Sequence, residues 1–365
     1  MFVAWRDLRF AKGRFALLGA VVALITLLVG FLAGLTVGLG LQSISAVQQL
    51  DAQQFVMSPP GSDGKLSFAD SAISRDQASK WQAGAGVSSV TALGIGQGQA
   101  QSGTSKAALA VFGAAPATMA NVPANNGQVV LSQTNAAQLG DVGIGAEITF
   151  GGARFIVSDI VADQWFSHLP VAWLTLADWQ TYAKTIGQTD PYATVLAVYE
   201  AGDYDAGNRQ AGTASVGGFA TYLAIGSFSS EVGSLLMIVS MLVVISAVVI
   251  GAFFTVWIMQ RSTDIAVLKA LGSSTKALLV DALGQALAIL VIGVAVGILT
   301  ITSLGLLIVE FAGSAIPFSL SVWTTVAPGA VPVPTGIPGA AFALRSVAKA
   351  NPPTAPRAHR RSPSK

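Results

Sequence analysis

Cysteine is missing altogether from this chain of 365 residues. That absence excludes disulfides, thiolate nucleophiles and cysteine-held metal or cluster sites. Charge is scarce as well. Asp, Glu, Lys and Arg make up 10% of the residues, against roughly 25% in soluble domains, too few to cover a water-exposed surface. Histidine occurs twice, at His168 and His359. The two are far apart in sequence and on opposite sides of the membrane in the topology developed below. No G-x-x-x-x-G-K-[ST], H-E-x-x-H or G-x-S-x-G occurs, so the chain offers no P-loop, no zincin helix and no nucleophile elbow. No catalytic residue is expected, no resident metal or cofactor, and no nucleic-acid partner.

What the chain does have is apolar sequence. Hydrophobic residues make up 52% of it. They cluster in runs longer than the roughly 18–20 residues that cross a bilayer. The expected class is an integral membrane α-helical protein with a large mixed α/β domain between its first and second spans. The first run, 15–41, exceeds the roughly 7–15 residues of a signal-peptide core and lacks a cleavage pattern close behind it. It is expected to stay as transmembrane helix 1, a signal anchor.

Residues 1–14 interleave Phe2, Trp5, Leu8 and Phe10 with Arg6, Arg9, Lys12 and Arg14. At helical spacing this gives an interfacial elbow helix with one apolar and one basic face. Read that way or as plain flanking charges, the cluster places the N-terminus in the cytoplasm. Gly30, Gly34 and Gly38 then recur every fourth residue on the first span. Small residues at that spacing let a second helix come close, within the chain or across a dimer seam.

From 42 to 228 the composition turns to Gly, Ser, Ala, Gln and Asn. Strand candidates are Val87–Ala92, Ala107–Phe112, Gln128–Leu131, Glu147–Phe150, Arg154–Val161, Val171–Leu174 and Thr194–Tyr199. Helix candidates are Arg75–Gln82, Thr134–Leu139 and Leu176–Ile186. Residues 42–231 hold 14 acidic and 7 basic side chains, and the remainder holds 4 acidic and 13 basic. Lys and Arg therefore gather at the other segments' membrane ends, which puts the α/β domain outside the cell and the chain in the plasma membrane.

The second span covers 229–260 and the third 277–312. Between them, 261–276 is a coupling segment on the cytoplasmic side. It sets Arg261, Asp264 and Lys269 beside an apolar row of Ile265, Leu268 and Leu271. A fourth span is expected at 320–344, yet Pro328, Pro332, Pro334 and Pro338 fall inside it. An interior proline costs a helix about 3 kcal/mol. The tail 345–365 is rich in Pro and Arg and is expected to be disordered.

The run FFTVWIMQRSTDIAVLKALGSSTKALLVDALGQAL resembles the cytoplasmic loop of ABC permeases of the MacB/FtsX type. More closely, it is similar to the HrtB-like haem-exporter permeases of Gram-positive bacteria. WRDLRFAKGRFALLG resembles that family's N-terminal elbow, and DQWFSHLPVAWLTLADWQ a segment of its extracellular domain. The likeness covers residue 1 to about 312. Beyond it, Ala350-Asn351-Pro352-Pro353 carries prolines where the family has leucines, as a faulty 3′ coding region would give. The resemblance implies four spans per subunit, a homodimer, and two copies of a separate ATPase that binds and hydrolyses ATP. It implies haem as the transported ligand, entering laterally from the membrane and leaving outward. Other members of the superfamily export lipid-linked or peptide substrates, or regulate extracellular enzymes without transport.

The resemblance also puts an acidic haem contact near Glu231, where the α/β domain enters the second span. A carboxylate can ligate ferric iron, and here it can equally cap a helix that starts at Ser229-Ser230. Met237 and Met241 lie one turn apart further along. His168, beside Trp165 and Phe166, is a second candidate cluster. In the coupling segment, reversing the charge of Asp264 together with Leu268→Asp is expected to abolish co-purification of the ATPase. Retained assembly and transport would refute that assignment.

Overall fold

The computed structural model describes residues 12–326 apart from 62–63, 85–88, 117, 201–202, 271–274, 314–315 and 323. Side chains at 12, 14–15, 18, 250, 253–283, 286 and 312 are outside the description. So are the elbow up to residue 11, the four prolines of the expected fourth span, and the tail. The chain divides into a helical unit, Met1–Leu35 with Met237–Lys365, and a mixed unit, Thr36–Leu236.

The helical unit draws on three long helices: α1 (Lys12–Gln49), α7 (Gly226–Ala270) and α8 (Thr275–Ala312). Each contains an apolar stretch long enough to cross a membrane, at Gly19–Gln49, Gly226–Val249 and Leu287–Phe311. Glycines set how closely they pack. A methyl on Gly293 would lie 2.7 Å from Val22 Cβ, and one on Gly297 would lie 2.6 Å from Thr26 Cβ. Gly30 faces Ile301, and a methyl on Gly34 would meet the Phe318 ring at 2.6 Å. The stripe at Gly30 and Gly34 thus packs within the chain, while Gly38 is buried. Beyond α8, the Ser321 hydroxyl accepts from the Thr324 N–H, and the Thr324 hydroxyl from the Ser321 N–H. This reciprocal cap opens a helical turn just before the proline-bearing segment.

Two helix ends depart from the sequence expectation. α7 does not stop near 260, because its backbone stays helical to Ala270. No glycine or proline interrupts 252–271, and Gly272 is the first. Arg261, Asp264, Ile265, Leu268 and Lys269 therefore sit on helical backbone. Their side chains, and Leu271 altogether, lie outside the described residues. α1 likewise continues past 41 to Gln49. Ile44, Val47 and Leu50, spaced by three, are buried in the core of the mixed unit.

That unit holds β1 (Gln54–Met57), α2 (Arg75–Gln82), β2 (Ser89–Ser102), β3 (Ser105–Ala114), β4 (Gln128–Ser132) and α3 (Gln133–Gln138). There follow β5 (Glu147–Phe150), β6 (Ala153–Val161), β7 (Trp165–Phe166), β8 (Leu169–Thr175) and α4 (Leu176–Thr185). β9 (Val195–Glu200), α5 (Tyr204–Ala211), β10 (Ala214–Gly217) and α6 (Phe219–Leu223) complete it. The strand order is β10-β1-β9-β2-β3-β8-β4-β6-β5, with β7 on β8. Ala100 and Gln101 of β2 also pair with Phe150 and Thr149 of β5. That contact closes β2, β3, β8, β4, β6 and β5 into a ring.

Alternate residues fill the ring: Leu109 and Val111, Val129 and Leu131, Ile148 and Phe150, Phe155 and Val157, Ala172 and Leu174. The opposite faces of β3, β4 and β8 are buried too, through Phe112, Val130 and Trp173. Strands buried on both faces read as continuous apolar runs rather than alternation. β2 extends to Ser102 although the candidate strand ended at Ala92. Its glycines explain why. Gly94, Gly96 and Gly98 leave room on one face for Trp179 and Tyr182 of α4 and for Phe150. Gly94→Ala would drive a methyl into the Trp179 ring. We expect it to cost about 1–3 kcal/mol, as core overpacking does. Gly143→Ala, with nothing within 4 Å, should be near neutral. Thermal unfolding of the full chain in detergent distinguishes the two, and equal effects would refute the packing account.

Candidate functional site

β7 and β8 form a hairpin whose two loop residues, Ser167 and His168, both have positive φ, 50° and 63°. Two such residues make the turn that matches strand twist, where Asn-Gly is the usual sequence. Non-glycine residues are strained there by about 1–2 kcal/mol each. The turn is anchored by its own backbone. The Ser167 N–H donates to the Ser43 carbonyl at 3.1 Å and the His168 N–H to the Gln42 carbonyl at 2.9 Å. The hairpin is fastened again lower down, where the Trp165 N–H donates to Ser45 Oγ at 2.9 Å and Gln164 Nε2 to Gln49 Oε1 at 2.6 Å. Gln42, Ser45 and Gln49 stand three and four residues apart, on one face of α1. The Ser45 and Gln49 side chains of this stripe are spaced by four in the sequence, while Gln42 contributes only its carbonyl.

The anchored turn carries His168 to Glu231. His168 Nε2 lies 2.8 Å from Glu231 Oε1 and 3.0 Å from Ser43 Oγ. Ser227 Oγ lies 3.4 Å from Ser43 Oγ and 3.2 Å from Ser167 Oγ, within reach of either. The His168 and Glu231 side chains are 29% and 31% exposed. Glu231 Oε2 is buried with no hydrogen-bond partner. Two candidates read separately in the sequence, 63 positions apart, thus meet in one site. Glu231 lies in the second turn of α7, which begins at Gly226 rather than Ser229, so it does not cap the helix.

Serine, histidine and glutamate together invite comparison with a hydrolase triad, but the geometry does not support one. In a triad the imidazole uses one nitrogen for the serine and the other for the acid. Here both contacts converge on Nε2. The arrangement instead fixes one carboxylate oxygen and leaves the other in want of a donor or a cation. Among the described residues no group of three or more acidic or histidine side chains could hold a metal ion.

The remaining candidates lie elsewhere. Phe166 is buried at 5% exposure, edge-on to Phe68 and Phe112. Its side chain points into the core because residues alternate along β7, so it presents no face to a ligand beside His168. Met237 and Met241 follow on α7 with exposed side chains, and neither belongs to the hydrogen-bonded cluster.

A cavity of about 510 Å³, unforeseen in the sequence, opens beside the hairpin, lined by Gln49, Thr91, Met119, Asn121, Gln164 and Tyr199 among others. Gln164 Oε1 accepts from Trp173 Nε1 at 2.8 Å. Among the described residues no charged side chain lines the opening. Burial, and then the nearby Asp51 charge, hold the Tyr199 phenol above its ordinary value.

Residues 218–352 match the family model described as FtsX-like permease C-terminal. Two curated relatives run almost the whole length. The "Putative hemin transport system permease protein HrtB" of Staphylococcus epidermidis (strain RP62A) is 23% identical over 360 residues, covering 96% of this chain and 98% of its own length. The protein of the same description from Staphylococcus haemolyticus is 24% identical over 366 residues, with the same coverage. Among solved structures, the periplasmic region of MacB from Actinobacillus actinomycetemcomitans has a TM-score of 0.35 at 12% identity, covering 48% of this chain and 92% of that one. The extracellular domain of the transporter YknZ from Gram-positive bacteria has a TM-score of 0.32 at 14% identity, covering 43% and 90%.

The contact between His168 and Glu231 can be tested by stability. His168→Phe removes the partner of a carboxylate whose second oxygen already lacks one. At this half-exposed site we expect a loss of about 1 kcal/mol. Glu231→Gln keeps an oxygen acceptor and should cost less. Thermal unfolding in detergent compares them, and the reverse order would contradict the geometry.

Proposed function

We propose that this chain is a permease of the MacB/FtsX type, the membrane subunit of an ABC exporter whose cargo is haem. The observation that carries the reading is the end-to-end match to proteins described as hemin transport permeases, 96% of this chain against 98% of theirs. The acid site supports it. Glu231 Oε2, buried and unpartnered, is suited to ligate ferric iron, with His168 holding Oε1. Phe166 is left out because it is buried.

The permease performs no bond chemistry in this reading. A separate ATPase, in two copies against a homodimer of this chain, binds and hydrolyses ATP. It docks on the segment from Arg261 to Leu271. The excess of Lys and Arg outside 42–231 supports a cytoplasmic N-terminus and an extracellular α/β domain in the plasma membrane. Helical backbone unbroken from Gly226 to Ala270 would carry movement from the docking segment to the turn that holds Glu231.

Titration of the detergent-solubilised permease with haem, followed by absorbance, tests the reading. The expected result is one haem per site with a shifted Soret band, weakened at least tenfold by Glu231→Ala. Equal binding by both proteins would keep haem and remove Glu231 as its ligand. An assembled protein that binds no haem would overturn the cargo and favour a lipid-linked or peptide substrate, or a regulator without transport.

A further inference from the structure

We propose that α6 is a membrane-contact element, lying in the headgroup layer of the leaflet that α7 enters. The inference needs only the apolar spans and is independent of haem. Phe219 and Leu223 are four residues apart and so share a face of this single turn. They are 60% and 40% exposed, and Ala220 between them is exposed as well. The other side is sealed: Thr221, Ala224 and Ile225 are buried, and the Thr221 hydroxyl donates to the Val216 carbonyl at 3.3 Å. The apolar face is therefore presented by a fixed turn and not by a loose loop.

Gly218 sets its direction. Its φ of 60° and ψ of −142° belong to a region essentially reserved for glycine, and they turn the chain from β10 into α6. An aromatic cluster then ties α6 to the head of α7. The Phe219 ring lies 5.9 Å from Phe228 and 6.3 Å from Tyr222, and Tyr222 lies 6.3 Å from Phe228. Phe228 is in the first turn of α7, so Phe219 sits at the level where that apolar helix begins. From Gly226 to Glu231 a helix rises about 7.5 Å. The polar layer on each side of a bilayer core is of similar depth, roughly 5–8 Å.

Charge agrees. No Asp, Glu, Lys or Arg occurs from Gly212 to Ser230. Such an uncharged segment, aromatic at its tip and joined to a span, suits the boundary where aromatic side chains gather. In that position α6 sets the depth of Glu231, which follows eight residues after Leu223, and floors the α/β domain against lipid.

The chain has no cysteine, so single substitutions give single labels. Phe219→Cys and Leu223→Cys would each carry a nitroxide in the full-length protein in phosphatidylglycerol-containing nanodiscs. Ile144→Cys, exposed in the segment between α3 and β5, serves as the aqueous reference. The expected result at 219 and 223 is greater collision with oxygen than with a water-soluble nickel chelate, the reverse of 144. Water-like accessibility at both positions would overturn the proposal. So would strong dipolar broadening between like labels, which would show a second copy of the chain covering the face. The Leu223 variant keeps the test valid if loss of the Phe219 ring disturbs the cluster.

Discussion

The mixed unit hangs on the seat of one turn. Ser167 and His168 both hold a backbone conformation that costs a non-glycine residue energy, and both amides are taken by carbonyls of α1, at Ser43 and Gln42. The two-residue hairpin requires that conformation, and the seat adds two backbone hydrogen bonds that hold it. With it, the hairpin, the extended end of α1 and the head of α7 converge on one imidazole nitrogen. The extension of α1 beyond the span is what makes the seat possible. Ile44, Val47 and Leu50 bury one side of it in the core, while Gln42, Ser45 and Gln49 meet the hairpin.

The ring of strands supplies the rigid body to which the hairpin belongs. β2 is shared between the ring and the sheet that runs through β9 and β1 to β10. Its glycines are the condition for that sharing. Side chains at 94, 96 and 98 would occupy the space of Trp179, Tyr182 and Phe150. Glycine weakens a strand taken alone, and here the lost propensity is offset by burial of aromatic rings against bare backbone. β8 then holds one face to the ring interior through Leu174 and the other to the hairpin side through Trp173.

A carboxylate at the start of a membrane-spanning helix is costly unless it is hydrated, paired or used. Glu231 is half paired: one oxygen is satisfied by His168 and the other is buried without a partner. Asp163, by contrast, has both oxygens satisfied, accepting from the Thr134 N–H and hydroxyl. Glu231 therefore differs from Asp163 in keeping one oxygen without a protein partner at the head of α7.

Composition and periodicity by themselves determined a good deal. Scarce charge and apolar runs longer than a bilayer span point to membrane helices, which satisfy their backbone within each segment. Local signals marked α2 at Arg75–Gln82 and placed an acid at 231, while the reciprocal cap of Ser74 and Gln77 came with the structure. The coupling-loop motif carried the family resemblance. Tertiary structure alone decided the rest. It brought His168 to Glu231, buried Phe166 and gave Gly30 and Gly34 their partners at Ile301 and Phe318. It also extended α1 into the core. A local pattern reports which face of an element is apolar, but which element meets that face is fixed by ring closure and by the seating of one strained turn, whose partners lie more than a hundred residues away in the chain.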